Sequence, residues 1–191
     1  MNTLSYVLNK NPIITSITND TSSSIIDKRR NSTIIIMNAD LLTIKEIAFK
    51  IKEKDNLVLV HLDLIKGLKR DATGIKYLAN YVGIDGVVTT NPKTIHLAKR
   101  FNLITIQRVF AIDNQSLKQG IESTNHSQPE AVEILPGIAI PYIEKQIKIN
   151  FKPIIIGAGL INTVEDAKFI LQNGADGISS SSSDIYNISL Q

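Results

Sequence analysis

The strongest constraint on the fold of this chain is a rhythm. Short apolar runs rich in Ile and Val recur eight times: "IITSI" from Ile13, "TIIIM" from Thr33, "LVLVHLDL" from Leu57, "GVVTT" from Gly86, "ITIQRVF" from Ile104, "AVEIL" from Ala131, "PIIIGAG" from Pro153 and "GISSS" from Gly177. Several are apolar on both faces, which is how parallel strands covered on two sides read. Their starts lie about 23 residues apart on average, the room that a strand–loop–helix–loop unit needs. Eight such units close into a (β/α)8 TIM-type barrel, here a single domain over residues 1–191, although 191 residues falls just below the usual size of that fold. A doubly wound open sheet is the alternative.

The stretches between the runs read as helices. "TIKEIAFKIKEK" sets Ile44, Ile47, Ala48 and Ile51 on one face with lysines opposite. "NPKTIHLAKRF" begins with Asn91 as N-cap and Pro92 at the first helical position. "TVEDAKFILQNG" starts with Thr163 and Asp166 spaced as a capping box, turns Val164, Ala167, Phe169, Ile170 and Leu171 inward, and ends at Gly174. No apolar run is long enough to span a membrane, and the N-terminus lacks the pattern of a signal peptide. The absence of cysteine excludes disulfides and thiolate metal sites. These features point to a cytoplasmic protein. A formal charge of +3 permits a nucleic-acid partner without requiring one.

The segment "PIIIGAGLINTVEDAKFILQNGADGISSSSSDIY" places glycines after the seventh run and five serines after the eighth. In (β/α)8 barrels function sits at the C-terminal ends of the strands, and phosphate often binds the loops after strands seven and eight. Gly157 and Gly159 would let an anion approach backbone N–H groups closely. Ser179 to Ser183 would add hydroxyls, and "SDIYNI" would start a short helix with its positive end toward the anion. On the bland reading, the glycines make a tight turn and the serines a polar loop.

Other polar residues interrupt apolar strands. His61 and Asp63, two apart, are expected on one strand face; Gln107 and Arg108 break the fifth run and Glu133 the sixth. Charged groups inside strands are costly unless paired, so these residues are expected near the rim, satisfying one another or a ligand. From its rim position, Arg108→Ala should weaken ligand binding with little loss of fold. Catalytic equipment is thin. His61 with Asp63 or Glu133 would suit acid–base work, but no strand carries a lysine for a Schiff base, and the three histidines do not form a spaced metal pair. No metal or cofactor is expected.

The segments "VHLDLIKGLKRD", "GVVTTN", "AKRFNLITIQRVFAID", "PEAVEILPG" and "GLINTVEDA", in that order and at those spacings, resemble the glycerol-3-phosphate-responsive antiterminators, regulators of bacterial glycerol-uptake operons. The likeness runs from about Asn11 to Tyr186. It implies a TIM-barrel-like fold, no catalysis, glycerol 3-phosphate as effector, and binding of leader mRNA so that transcription passes a terminator. By motif, the ligand would meet His61, Asp63, Arg108, Glu133, Ala158, Gly159, Ser179, Ser180 and Ser181.

The chain departs from the family pattern at three places. Thr18 precedes Asn19 where an Arg is usual, "AGLIN" from Ala158 to Asn162 replaces Gly-Gly-Leu-Ile-Arg, and a basic residue near Ser183 is missing. Each change removes a cation or a glycine beside the anion, which leaves room for a diverged barrel that has lost its effector. A barrel enzyme acting on a small sugar phosphate also remains open. Candidate RNA-binding cations are Lys66, Lys69 and Arg70 after the third strand, and Lys93, Lys99 and Arg100 on the fourth helix; no stacked-aromatic RNA motif is visible. Coupling of ligand to RNA would need an RNA-competent state, of which a homodimer is one form.

Overall fold

Each of the eight apolar runs forms a strand, because β-branched side chains pack well on a pleated surface and poorly inside a helix. The computed structural model describes residues 3–18 and 25–186. The strands are β1 (Ile13–Thr18), β2 (Thr33–Asn38), β3 (Leu57–His61), β4 (Gly86–Thr89), β5 (Ile104–Phe110), β6 (Ala131–Leu135), β7 (Ile154–Ala158) and β8 (Gly177–Ser180). All pair in parallel, in chain order, around a closed barrel. Closure rests on the register Ile13↔Ile178, Ile14↔Ser179, Thr15↔Ser180 between β1 and β8, which rules out the open sheet.

The helices are α1 (Thr3–Lys10), α2 (Ile44–Lys52), α3 (Ala72–Lys76), α4 (Pro92–Lys99), α5 (Asn114–Ser127), α6 (Ile140–Ile143), α7 (Val164–Gln172) and α8 (Ser183–Tyr186). A π-helical turn, Tyr77–Val82, continues α3. The expected caps form. Asn91 accepts from the Lys93 N–H at the start of α4, and Thr163 and Asp166 make a reciprocal capping box at the start of α7. In α2, Ile44, Ala48 and Ile51 are buried as the spacing predicts. One inward assignment fails. Phe169 is 43% exposed, because Ala167 and Ile170 already set the buried face of α7 and Phe169 lies about 100° to one side of Ile170.

Alternation along the strands sorts the core into an inner and an outer layer. Inside the barrel Ile14, Ile35, Leu59, Val88, Ile106, Ala131 and Ile156 form one apolar tier. Between strands and helices lie two larger clusters, one around Ile34, Val58, Val60 and Val87, the other around Val109, Val132, Ile134 and Ile178. The N-terminal mouth of the barrel is plugged by α1, whose Leu4 and Leu8 pack on the inner tier. Two such leucines contribute roughly 3–6 kcal/mol before the entropy of ordering α1 is deducted. With this end filled, the C-terminal ends of the strands are left to form the open mouth.

Asn19 and the last two residues of "SDIYNI", Asn187 and Ile188, lie outside the described residues. Among the described residues no helix is long and apolar enough to cross a membrane.

Candidate functional site

Above the apolar tier, the next inward position of each strand is polar on five strands. The same alternation that aims Ile14, Leu59, Ile106, Ala131 and Gly177 inward aims Ser16, His61, Arg108, Glu133 and Ser179 inward one step later. A polar layer inside an apolar barrel must be internally paired or offered to a ligand. Here it is both. Arg108 Nε donates to Glu133 Oε2 at 2.6 Å, across the register pair Arg108↔Glu133 of β5 and β6. Both are deep, the Arg108 side chain 10% exposed and Glu133 not at all. Ser16 Oγ and Ser179 Oγ lie 3.0 Å apart across the β1–β8 seam.

Over this layer opens a cavity of about 460 Å³. Arg108, Met37 and Ala158 reach it from the strands, and Gly159, Leu160 and Asn162 from the loop after β7. Ser179, Ser180, Ser181 and Ser182 line it from the end of the neighbouring β8 and the loop that follows. Six of the nine sequence-derived ligand residues therefore meet in one space: Arg108, Ala158, Gly159, Ser179, Ser180 and Ser181. Ser182, one of the five serines expected to offer hydroxyls, lines it too; Ser16, Met37, Leu135 and Leu160 also line it and were not anticipated. For Ser16 a signal existed, since in "IITSIT" it shares the inward parity of Ile14.

Glu133 sits beneath the cavity, held by Arg108, and His61 lies in the same polar layer, 3% exposed. Among the described residues neither ring nitrogen of His61, nor Glu133 Oε1, finds a hydrogen-bonding partner. Burial, and then the neighbouring Arg108 charge, push the His61 pKa below its ordinary value, so the imidazole is neutral at pH 7.

Two polar residues are placed otherwise than expected. Asp63 does not share a strand face with His61. β3 ends at His61, and Asp63 stands on a 3₁₀ turn, Leu62–Leu64. Its carboxylate accepts from Thr89 Oγ1 at 3.1 Å and from the Thr90 N–H at 2.9 Å, so it ties the loop after β3 to the end of β4. Gln107 faces outward, because it is one residue out of phase with Arg108. It donates to Ser123 Oγ and accepts from Ser127 Oγ on α5.

The loop after β7 takes its shape from local geometry. Gly159 and Leu160 both have left-handed backbone, with φ of 74° and 54°. Asp166 accepts from the N–H groups of Asn162 and Thr163, drawing the end of this loop onto α7. A Cβ on Gly137 would stand 2.6 Å from the Ala158 N, so glycine is required there for the loop after β6 to press on β7. After β8, α8 is a single turn. Tyr186, its phenol pushed up to about 12 by burial, donates to the Ser16 carbonyl at 3.2 Å.

The candidate RNA-binding cations separate. Lys66, Lys69, Arg70 and Lys93 lie at the C-terminal strand ends, with the cavity. Lys99 and Arg100 lie at the far end of α4, about 10 Å away by helical rise. Lys99 donates to the carbonyls of Ser127 and Gln128, closing the C-terminus of α5.

Comparison with known proteins adds independent information. The family described as "Glycerol-3-phosphate responsive antiterminator" matches residues 13–186. The chain is similar to the glycerol uptake operon antiterminator regulatory protein of Listeria monocytogenes, with 26% identity, a TM-score of 0.85 and coverage of 92% of this chain and 95% of that one. It is also similar to a glycerol uptake operon antiterminator-related protein of Thermotoga maritima, with 28% identity, a TM-score of 0.81 and coverage of 92% and 98%. The uncharacterised Escherichia coli protein YgcP is 24% identical over 185 residues, 97% of this chain and 96% of that protein. The aldolase QR15, at 14% identity and a TM-score of 0.69, shares the fold. With the barrel, the polar layer and a family match that spans all eight strands, the chain belongs to the glycerol-3-phosphate responsive antiterminators.

Proposed function

We propose that this protein is a non-enzymatic transcription antiterminator that binds glycerol 3-phosphate in the barrel-top cavity and, when loaded, binds leader mRNA. The observation that carries the ligand half is the polar layer under the cavity, where buried His61 and Glu133 keep unpartnered polar atoms beside the Arg108–Glu133 pair. A buried polar atom without a partner costs about 1–3 kcal/mol, which a polyol hydroxyl would offset. His61 and Glu133 receive the glycerol hydroxyls. Arg108, Gly159 and the hydroxyls of Ser179, Ser180 and Ser181 receive the phosphate, with Ala158 lining the wall. Asp63 acts one step back, fixing the loop that carries it.

Thr18 and Asn162 line this cavity in place of cations, so the phosphate relies on Arg108 and on neutral donors. Charged donors bind phosphate more strongly than neutral ones, and the affinity should be modest.

Calorimetric titration with glycerol 3-phosphate, with glycerol and inorganic phosphate as controls, tests this reading. Selective binding of the phosphate ester supports it. Failure at millimolar ligand would mean that the effector is different or lost. A second reading, a barrel enzyme acting on a small sugar phosphate, draws on His61, a neutral buried imidazole at the site. Turnover of a triose phosphate that disappears in His61→Ala would favour it.

A further inference from the structure

A second concave surface lies outside the cavity, where the loops after β2 and β3 pack together. We propose that it holds single-stranded RNA, one unstacked base lying in the groove between the loops and the adjoining phosphates resting on Lys66, Lys69 and Arg70. The inference rests on the antiterminator reading and adds to it the place where RNA sits.

The groove measures about 430 Å³ and is lined by Leu41, Leu68 and Tyr77 together with Gly67, Lys69 and Asp71. Its walls are already fixed. The Lys66 N–H donates to the Ala39 carbonyl at 2.9 Å, Asp40 and Lys66 form a parallel bridge, and Tyr77 Oη donates to the Leu41 carbonyl at 3.4 Å. Tyr77 stacks on Tyr81, their centroids 5.1 Å apart, and Lys45 Nζ sits 3.6 Å from the Tyr81 centroid. Tyr81 is 58% exposed, and Leu42, next in the chain to Leu41, 93%. The surface therefore presents apolar and aromatic faces interleaved with cations, the combination that recognises unpaired nucleotides.

The nearby acids are each engaged by backbone donors through one carboxylate oxygen. Asp71 caps α3 by accepting from the Gly74 N–H, and Asp40 accepts from the Leu42 and Thr43 N–H groups. Among the described residues Lys66 and Lys69 form no salt bridge, and Arg70 has a long one, 3.4 Å to Asp63, with its own side chain 52% exposed. A second copy of this chain fits less well. A two-fold contact through this face would set the same lysines against each other. Through Asp63, Arg70 is also joined to the turn that directly follows His61, a member of the polar layer.

The test is binding of a fluorescent random-sequence RNA pool by the full chain with glycerol 3-phosphate present, titrated with salt. The variants are Lys66→Glu/Lys69→Glu, Tyr77→Leu and, as control, Lys145→Glu/Lys148→Glu beside α5; circular dichroism checks that each is folded. The first pair should weaken binding about tenfold or more and lower the salt slope by about two. Tyr77→Leu should weaken binding with the slope unchanged, and the control pair should bind as the parent does. Equal losses in both charge-reversed pairs would overturn the assignment. So would a change in sedimentation of the first pair without a change in RNA affinity, which would make this face a protein contact. Retained binding in the first pair removes only this surface. An unaltered chain that binds no RNA removes the antiterminator reading and this proposal together.

Discussion

Arg108 and Glu133 set the energetics of the site at the scale of single residues. The sequence suggested an arginine at the rim, removable at little cost to the fold. Instead its guanidinium is nearly buried and is the partner of a fully buried carboxylate. Arg108→Ala would strand that charge, and urea unfolding should show a loss of about 3–5 kcal/mol as well as weaker ligand binding. The double variant Arg108→Met/Glu133→Leu should recover most of the stability and none of the binding. His61 carries a second prediction. Its folded pKa lies below the ordinary 6.5, so the unfolded chain takes up a proton that the native state refuses. Its contribution is fully present above pH 6.5 and falls as pH drops toward the folded value. In His61→Gln, stability measured from pH 7 to pH 5 should decline less steeply than in the parent. Both residues could be picked out in the sequence as polar breaks in apolar strands. Their depth could not, because burial depends on the strands that flank them.

At the scale of elements, the caps were legible and the ends of strands were not. Thr163 and Asp166 form their box because each side chain needs only the backbone N–H of the other residue, a geometry set within four residues. Thr163→Ala should cost about 1 kcal/mol in urea unfolding. It should also loosen the loop after β7, lowering affinity for glycerol 3-phosphate more than for glycerol. Helix α1 escaped the sequence reading. It is eight residues long, and its stability comes from Leu4 and Leu8 entering a barrel mouth that exists only once eight strands have closed. Asp63 was misassigned for a related reason. Where β3 stops depends on the Thr89 and Thr90 donors at the end of β4, which draw the chain into a turn.

At the scale of the whole molecule, α1 fills the N-terminal mouth of the barrel, and the polar layer lies under a cavity at the C-terminal mouth. Ligand binding should therefore register as global stability. Glycerol 3-phosphate at about 100 times its Kd should add about 2.7 kcal/mol to unfolding, read as a rise in Tm that glycerol alone at the same concentration does not match. Sequence alone determined the number of strands, their parallel character, the helices with self-contained caps, and the set of polar residues available to a site. Each of these is a local property, carried by periodicity, β-branching or hydrogen bonds between near neighbours. Tertiary structure alone decided which of those residues meet. Closing β8 onto β1 brings Ser179 beside Ser16, and the register of β5 on β6 sets Arg108 against Glu133. The same parity that turns Arg108 inward turns Gln107 out toward α5. Direction and partner follow from pairing between segments far apart in the chain, and a one-residue shift in that pairing would exchange the two faces.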